Sequence, residues 1–232
     1  MRPVLPIAVL LGFNGGFVDT AGFLGLQGLF TSHVTGNFVT LAASLVLGTT
    51  GAVAKLLAIP VFIASVVTIQ IADNRLSDAG YKPIPILFAV QAVLLAAFFG
   101  LAVILGPFPN GDAPAAVITG LVGVMAMSIQ NAVQRAHLAK DPPTTILTGT
   151  TTQFAIDLAD RLMGRSSVAS AEAKRRFLAL ARAILSFGAG AMTAAATYHL
   201  VGLHCLAIAV IVAGAIALQK ATEPPAETGM LM

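Results

Sequence analysis

Long apolar stretches dominate the chain and are separated by short polar or Pro/Gly-rich connections. A helix needs roughly 20 apolar residues to cross a hydrocarbon core of about 30 Å. Five stretches reach or nearly reach that length: 5–29, 53–72, 84–105, 113–133 and 177–199. A sixth stretch, 203–219, is slightly short but carries no charge. This pattern predicts an all-α fold, a polytopic membrane helical bundle.

Two shorter segments, 38–47 and 154–163, are open to two interpretations. The first spans about half a bilayer, and the second carries three charged residues, each costing about 2.5–3.5 kcal/mol in lipid. If both crossed, with the N-terminus inside, four Lys/Arg would lie outside. If only the six longer stretches cross, every Lys and Arg except Lys55 lies at the cytoplasmic side, a split of 12 to 1. The positive-inside rule therefore favours six spans with both termini cytoplasmic.

A polar motif at 31–37 returns in altered form at 143–150. The Thr-Gly pair at 35–36 aligns with the pair at 148–149, 113 positions downstream. Each copy follows a long apolar segment with a polar residue, Asp19 in one case and Asn131 in the other. This repetition predicts a duplicated single membrane domain over 1–232, with repeats at 5–106 and 113–219 and a disordered tail at 220–232.

Three spans in each half would insert the halves in opposite orientations. The first motif would then face the outside and the second the cytoplasm. The short segments after the motifs would be re-entrant or half-length helices, which are tolerated only where protein or a water-filled cavity covers their backbone. Inverted repeats with broken helices are typical of many secondary transporters.

The polar residues around the two motifs are the candidate binding site. Asp19 lies well inside a predicted span, where a carboxylate is costly; it either couples a proton or cation, or anchors a neighbouring helix. The motif hydroxyls either line a polar site or cap the short helices. Arg135 is either a counter-ion for Asp19 or for an anionic substrate, or a boundary residue that reaches the interface. The candidate substrate-binding residues are Asp19, Ser32, His33, Thr35, Gly36, Asn37, Gln130, Asn131, Arg135, Thr145, Thr148, Gly149 and Thr150.

Composition supports the membrane interpretation and excludes several chemistries. Hydrophobic residues make up 57% of the chain and charged residues 10%, against about 25% charged in soluble domains. Cys205 is the only cysteine, so intramolecular disulfides and cysteine zinc sites are excluded. We predict no metal, no cofactor and no catalytic set. The net charge of +3 comes largely from the basic cluster 174–176, which indicates a membrane surface rather than nucleic acid.

Three elements together resemble a known family. They are Asp19 in a Gly-rich first helix, Phe-Thr-Ser-His-Val-Thr-Gly-Asn at 30–37, and Gln-Asn at 130–131 followed by Thr-Ile-Leu-Thr-Gly-Thr at 145–150. Over essentially the whole chain, these resemble the YoaK family of bacterial inner-membrane proteins, catalogued as domain of unknown function 1275. The resemblance implies a multi-pass protein of the bacterial inner membrane and supplies no substrate.

Three functions remain in competition. The first is a small secondary transporter or permease for an unidentified small solute, bound near the midplane at the repeat interface. The second is a structural or assembly protein whose polar residues only join helices. The third and weakest is an intramembrane enzyme using Asp19 and His33 as an acid–base pair. The expected partners are the lipid bilayer and the solute, and a homo-oligomer is left open.

Overall fold

The computed structural model describes residues 6–165 and 170–223, and this part of the chain is helical, without strands. Its helices are α1 (Ile7–Gly25), α2 (Gly36–Leu47), α3 (Ala52–Asp78), α4 (Pro83–Leu105), α5 (Pro114–His137), α6 (Thr148–Leu162), α7 (Ala171–Val201) and α8 (Ala207–Thr222). A 3-10 helix, Gly202–Leu206, separates α7 from α8. The predicted all-α class is confirmed. Of the tail predicted at 220–232, the residues after Glu223 lie outside the described ranges.

Within these ranges, five helical stretches are long and apolar enough to cross a membrane: α1, α3, α4, α5 and Ala171–Thr222. The chain is therefore a membrane protein. The last stretch covers 52 residues and contains both α7 and α8. α8 alone has 16 residues, fewer than the roughly 20 of an ordinary span. α2, with 12 residues, is shorter still.

Helix α1 ends earlier than the apolar stretch 5–29 predicts. It stops at Gly25, and Gln27 and Gly28 adopt positive φ angles of 54° and 82°. A left-handed backbone cannot continue a right-handed helix, so the chain leaves the helix axis here. The following residues, 26–35, form a loop that we call the first loop. The residues between α5 and α6, 138–147, form the second loop.

Helices α1 and α7 lie side by side and run in the same direction. Gly12 near the start of α1 faces Ser186, and Gly25 at its end faces Tyr198. The two backbones are in close contact, because a Cβ on Gly16 would overlap the carbonyl of Phe187. Small residues permit such close approach between membrane helices.

Helices α3 and α5 also run in the same direction. Near their starts, Asp112 accepts hydrogen bonds from the backbone N–H groups of Gly51 (3.0 Å) and Val53 (2.8 Å). Near their ends, His137 and Asp73 are hydrogen-bonded at 2.8 Å. α5 runs against α1, since Gln130 donates to the Leu11 carbonyl (2.8 Å), whereas Gly120, earlier in α5, faces Leu26, just after the end of α1.

Helix α8 returns along the bundle after the 3-10 helix. Leu203 of the 3-10 helix lies against Gly25 at the end of α1. Ile216, late in α8, belongs to the same buried cluster as Leu11, near the start of α1. The chain therefore reverses direction between α7 and α8. The main core includes Phe17, Phe98, Met127 and Leu206, contributed by α1, α4, α5 and the 3-10 helix.

The contacts between helices recur in the two parts of the chain. α1 packs against α7, and α5 against α3. α2 packs against α3, and α6 against α7. Lys55, 2% exposed, donates to Ser44 (2.7 Å) and ties α3 to α2, while Arg176 pairs with Asp157 (2.8 Å) and ties α7 to α6.

Candidate functional site

Asp19 holds the first loop against the middle of α1. Its Oδ1 accepts hydrogen bonds from the backbone N–H groups of Thr31 and Ser32, both at 2.8 Å, and of His33 at 3.4 Å. Asp19 is buried, and its Oδ2 accepts no hydrogen bond from the described residues. Three convergent N–H groups compensate a buried carboxylate. They also turn the loop back alongside the helix that precedes it.

Asn37 stabilises the same loop from the other end. Its Nδ2 donates to the Phe30 carbonyl (2.8 Å), and its Oδ1 accepts from the Phe30 N–H (2.9 Å). The side chain is fully buried and lines neither cavity described below. Asn37 therefore closes the first loop on itself through two hydrogen bonds to Phe30.

The second loop is held by α5 in a comparable way. Thr145 donates its hydroxyl to Asn131 Oδ1 (2.6 Å), and Gln130 Nε2 donates to the hydroxyl of Thr144 (3.1 Å). Gln130 therefore faces the bundle core. Thr145, the residue after Thr144, lies on the opposite side of the loop and lines a cavity.

Asn131 connects the two loops. Its Oδ1 is bound by Thr145 of the second loop, and its Nδ2 donates to the Ser32 carbonyl of the first loop (3.4 Å). A further bond from Nδ2 to the Met127 carbonyl (3.0 Å) fixes the amide on its own helix. Two motifs 113 positions apart therefore meet at one side chain.

Two cavities lie beside this junction, and His33 and Phe187 line both of them. The smaller cavity, about 270 Å³, is bounded by Asp19 and aromatic residues of α1 and the first loop. The larger, about 840 Å³, is bounded by the second loop and one face of α6. Its lining includes Thr145, Leu147, Thr148, Thr151, Thr152, Ala155, Ile156 and Ala159. The larger cavity thus combines hydroxyls and one imidazole with an apolar wall.

The two short helices begin at the Thr-Gly pairs themselves. α2 starts at Gly36 and α6 at Thr148, and neither has a side-chain cap. The motif hydroxyls therefore do not cap the two short helices in this structure. Thr35 and Gly149 are exposed, and Thr150 is buried with no described partner for its hydroxyl.

Two contacts considered for Asp19, one with Arg135 and one with the His33 ring, are not formed. Arg135 is exposed near the end of α5 and makes no ion pair with Asp19. The His33 ring packs against Phe30, with centroids 5.8 Å apart, and makes no hydrogen bond to the Asp19 carboxylate. The acid–base pair that the enzyme hypothesis requires is thus not assembled in this structure. Within the described ranges, no three His, Cys, Asp or Glu side chains are grouped as metal ligands.

Sequence reasoning missed several residues of the site. Thr151 and Thr152 lie three and four positions after Thr148, a spacing that brings them to one helix face, so the threonine run 148–152 carried the signal. Phe187 had no local signal. It reaches the site only because α7 packs against α1.

Comparison with known proteins identifies the family. A family model described as "Protein of unknown function (DUF1275)" matches residues 7–219, nearly the whole chain. The chain belongs to this family, and the resemblance to domain of unknown function 1275 is confirmed. No curated protein and no solved structure matches the chain.

Proposed function

We propose that this DUF1275 protein is a small secondary transporter or permease with its solute site at the junction of the two loops. The observation that carries the proposal is the meeting of both motifs at Asn131, beside two cavities that share His33 and Phe187. A repeat interface lined by irregular backbone is where secondary transporters bind their solutes.

The proposed architecture has six spans in two inverted three-span repeats, 5–106 and 113–219, in one membrane domain. Support comes from helix direction: α1 and α5, the first helix of each repeat, run against each other. The packing of α1 on α7 and of α5 on α3 has the pairwise form expected of two related halves. The reversal of chain direction at the 3-10 helix supports α8 as the sixth span, despite its length of 16 residues.

We further propose that both termini face the cytoplasm of a bacterial cell, with the protein in the inner membrane. The 12-to-1 distribution of Lys and Arg supports this orientation. The exception, Lys55, is almost fully buried against Ser44 and is therefore not a free loop charge.

Cysteine labelling tests this topology. In a Cys205→Ala background, a cysteine at exposed Asn110 should react with an impermeant maleimide added to intact cells. A cysteine at exposed Ala139, in the second loop, should react only after the cells are opened. Asn110 is preferable to its neighbour Gly111, where a Cβ would lie 2.8 Å from Gly51 Cα. A probe at Ser166 would lie outside the described residues. The reverse labelling pattern would discard the inverted-repeat topology.

Each side chain at the junction has a proposed role. His33, Thr145 and Thr148 contact the solute, because they supply polar atoms to the larger cavity. Asp19 is the ionisable candidate for coupling, since its Oδ2 is left without a described donor and the residue lines the smaller cavity. Arg135 is an interface residue at the end of α5. The solute is small and carries groups that accept or donate hydrogen bonds.

The structural alternative has one observation in its favour: Asn37, Gln130 and Asn131 all bond to other parts of the chain. Helix joining alone would produce such pairs. It does not account for the run of threonine hydroxyls along one wall of the larger, open cavity. A ligand test separates the two functions.

The test is a thermal-shift screen of the purified protein against small metabolites, anions and neutral solutes. A ligand at 100 times its Kd stabilises the folded state by about 2.7 kcal/mol. For the best solute we expect His33→Leu and Thr148→Val each to weaken binding at least about tenfold, the loss of about 1.4 kcal/mol. Thr68→Val is the matched control, because that hydroxyl is exposed on α3 and bonds its own helix. Equal binding by all variants, or no stabilising solute, would favour the structural alternative.

A further inference from the structure

A second group of polar side chains lies in the core, on the other side of the second loop from the proposed solute site. Asn14 on α1, Gln91 on α4 and Gln130 on α5 are each 0% exposed. The described residues offer no hydrogen-bond partner to Asn14 Oδ1, Asn14 Nδ2 or Gln91 Oε1. Unpartnered buried amides are rare and need an explanation.

A continuous hydrogen-bond chain connects part of this group to the second loop. Gln91 donates to Gln130 (3.3 Å), and Gln130 donates to Thr144 (3.1 Å). Thr144 donates to Gln134 (3.3 Å), which in turn donates to the Leu138 carbonyl of the second loop (3.0 Å). The chain therefore runs from the loop end of the bundle to Gln91, where an unpartnered oxygen remains.

The third side chain of the group, Asn14, lies on α1 and is unpartnered at both polar atoms. Gln130 Nε2 also donates to the Leu11 carbonyl (2.8 Å), and Asn14 is one helical turn from Leu11 on α1. An unsatisfied buried polar group costs about 1–3 kcal/mol, and more where the surroundings are lipid and apolar side chains. Apolar residues at positions 14 and 91 would avoid this cost.

The amide chemistry defines the missing partner. The free atoms include two carbonyl-type oxygens, which accept, and one NH2 group, which donates. No charged side chain takes part in the chain of bonds, so a bound ion would lack a counter-charge. The fitting ligand is uncharged and both donates and accepts hydrogen bonds.

We propose that Asn14, Gln91 and Gln130 form a core binding site for water or a small neutral solute of the same chemistry, reached from the second loop. The site is distinct from the cavities at His33, since Thr144 faces the amides while Thr145 faces the larger cavity. It does not depend on the transport function proposed above, because an uncharged ligand here is equally compatible with a purely structural protein.

Hydrogen peroxide is the probe, because it is small, uncharged and both donates and accepts hydrogen bonds. It transfers one oxygen atom to a methionine thioether, giving the sulfoxide and water. Met127 is 0% exposed, and its Sδ lies 3.9 Å from Gln91 Nε2. Met125, two positions away on α5 and 39% exposed, is the reference for an accessible methionine in the same sample. Peptide mass spectrometry measures both sulfoxides in one sample.

We expect Met127 of the wild-type protein to be oxidised at no less than one-tenth of the Met125 rate. Slower oxidation of Met127 would overturn the proposal, because a dry core excludes peroxide.

The combined variant Asn14→Leu with Gln91→Leu should slow Met127 oxidation at least tenfold and leave Met125 unchanged. An unchanged Met127 rate in a folded double variant would also overturn it, since peroxide would then arrive without the amides. Should that variant not fold, the wild-type rates alone decide. A solute that slows Met127 oxidation in a concentration-dependent way identifies a solute site, and the absence of any identifies water.

Discussion

Replacing Asp19 with alanine is expected to lower the free energy of unfolding by about 3–5 kcal/mol. The backbone N–H groups of Thr31, Ser32 and His33 would all lose their acceptor, in a place where no other described acceptor replaces it. For a chain of this size, such a loss lowers Tm by about 10 °C. Thermal unfolding of the purified variant measures it. A Tm within about 2 °C of the wild type would show that Asp19 does not hold the first loop.

Asp19→Asn separates this anchoring role from a role in coupling. Asparagine keeps an acceptor at Oδ1, so the loop should stay in place with a loss of only about 1–2 kcal/mol. If Oδ2 carries the coupling proton, the variant should lose gradient-driven uptake in proteoliposomes and retain exchange of solute between the two sides. Unchanged gradient-driven uptake in a well-folded Asp19→Asn protein would remove Asp19 from coupling and leave it as the loop anchor alone.

The second large effect is expected at the contact between α1 and α7. A Cβ on Gly190 would overlap the carbonyl oxygen of Phe13, and backbone atoms cannot move aside as a flexible side chain can. Gly190→Ala must therefore separate the helices, at a cost of about 1–3 kcal/mol or more. Because Phe187 reaches both cavities from α7, the same shift should weaken binding of any solute at the junction.

Gly188→Ala is the control for this change. It is on the same helix, two positions away, and an added Cβ would have no neighbour within 4 Å. Since alanine favours helix over glycine by about 1 kcal/mol, this variant should be as stable as the wild type or slightly more stable. Thermal unfolding of the two variants in the same detergent makes the comparison. Equal stability of Gly188→Ala and Gly190→Ala would refute the close contact between α1 and α7.

The chemistry of individual site residues was predictable only in part. The sequence indicates that Asp19 and Asn131 need a hydrogen-bond partner, because each is a polar side chain inside an apolar stretch. Both have one in the structure. What each partner would be was not predictable. Asn37 and Gln130 bind the chain itself, whereas His33, Thr145 and Thr148 line the larger cavity. Arg135, one turn from Asn131, faces outward at the end of α5.

The amino-acid sequence by itself determined the helical membrane character and the positions of the long helices. It also determined the two polar motifs at which the short helices begin. These properties are local, because apolar length specifies a helix that tolerates lipid. Only the tertiary structure decided that the first loop returns to Asp19, that Phe187 meets His33, and that Asn14 and Gln91 lie in the core without a described partner. Those outcomes depend on how α1 packs against α7 and α5. This packing requires complementary surfaces on helices that are far apart in the sequence, so it cannot be read from any one segment.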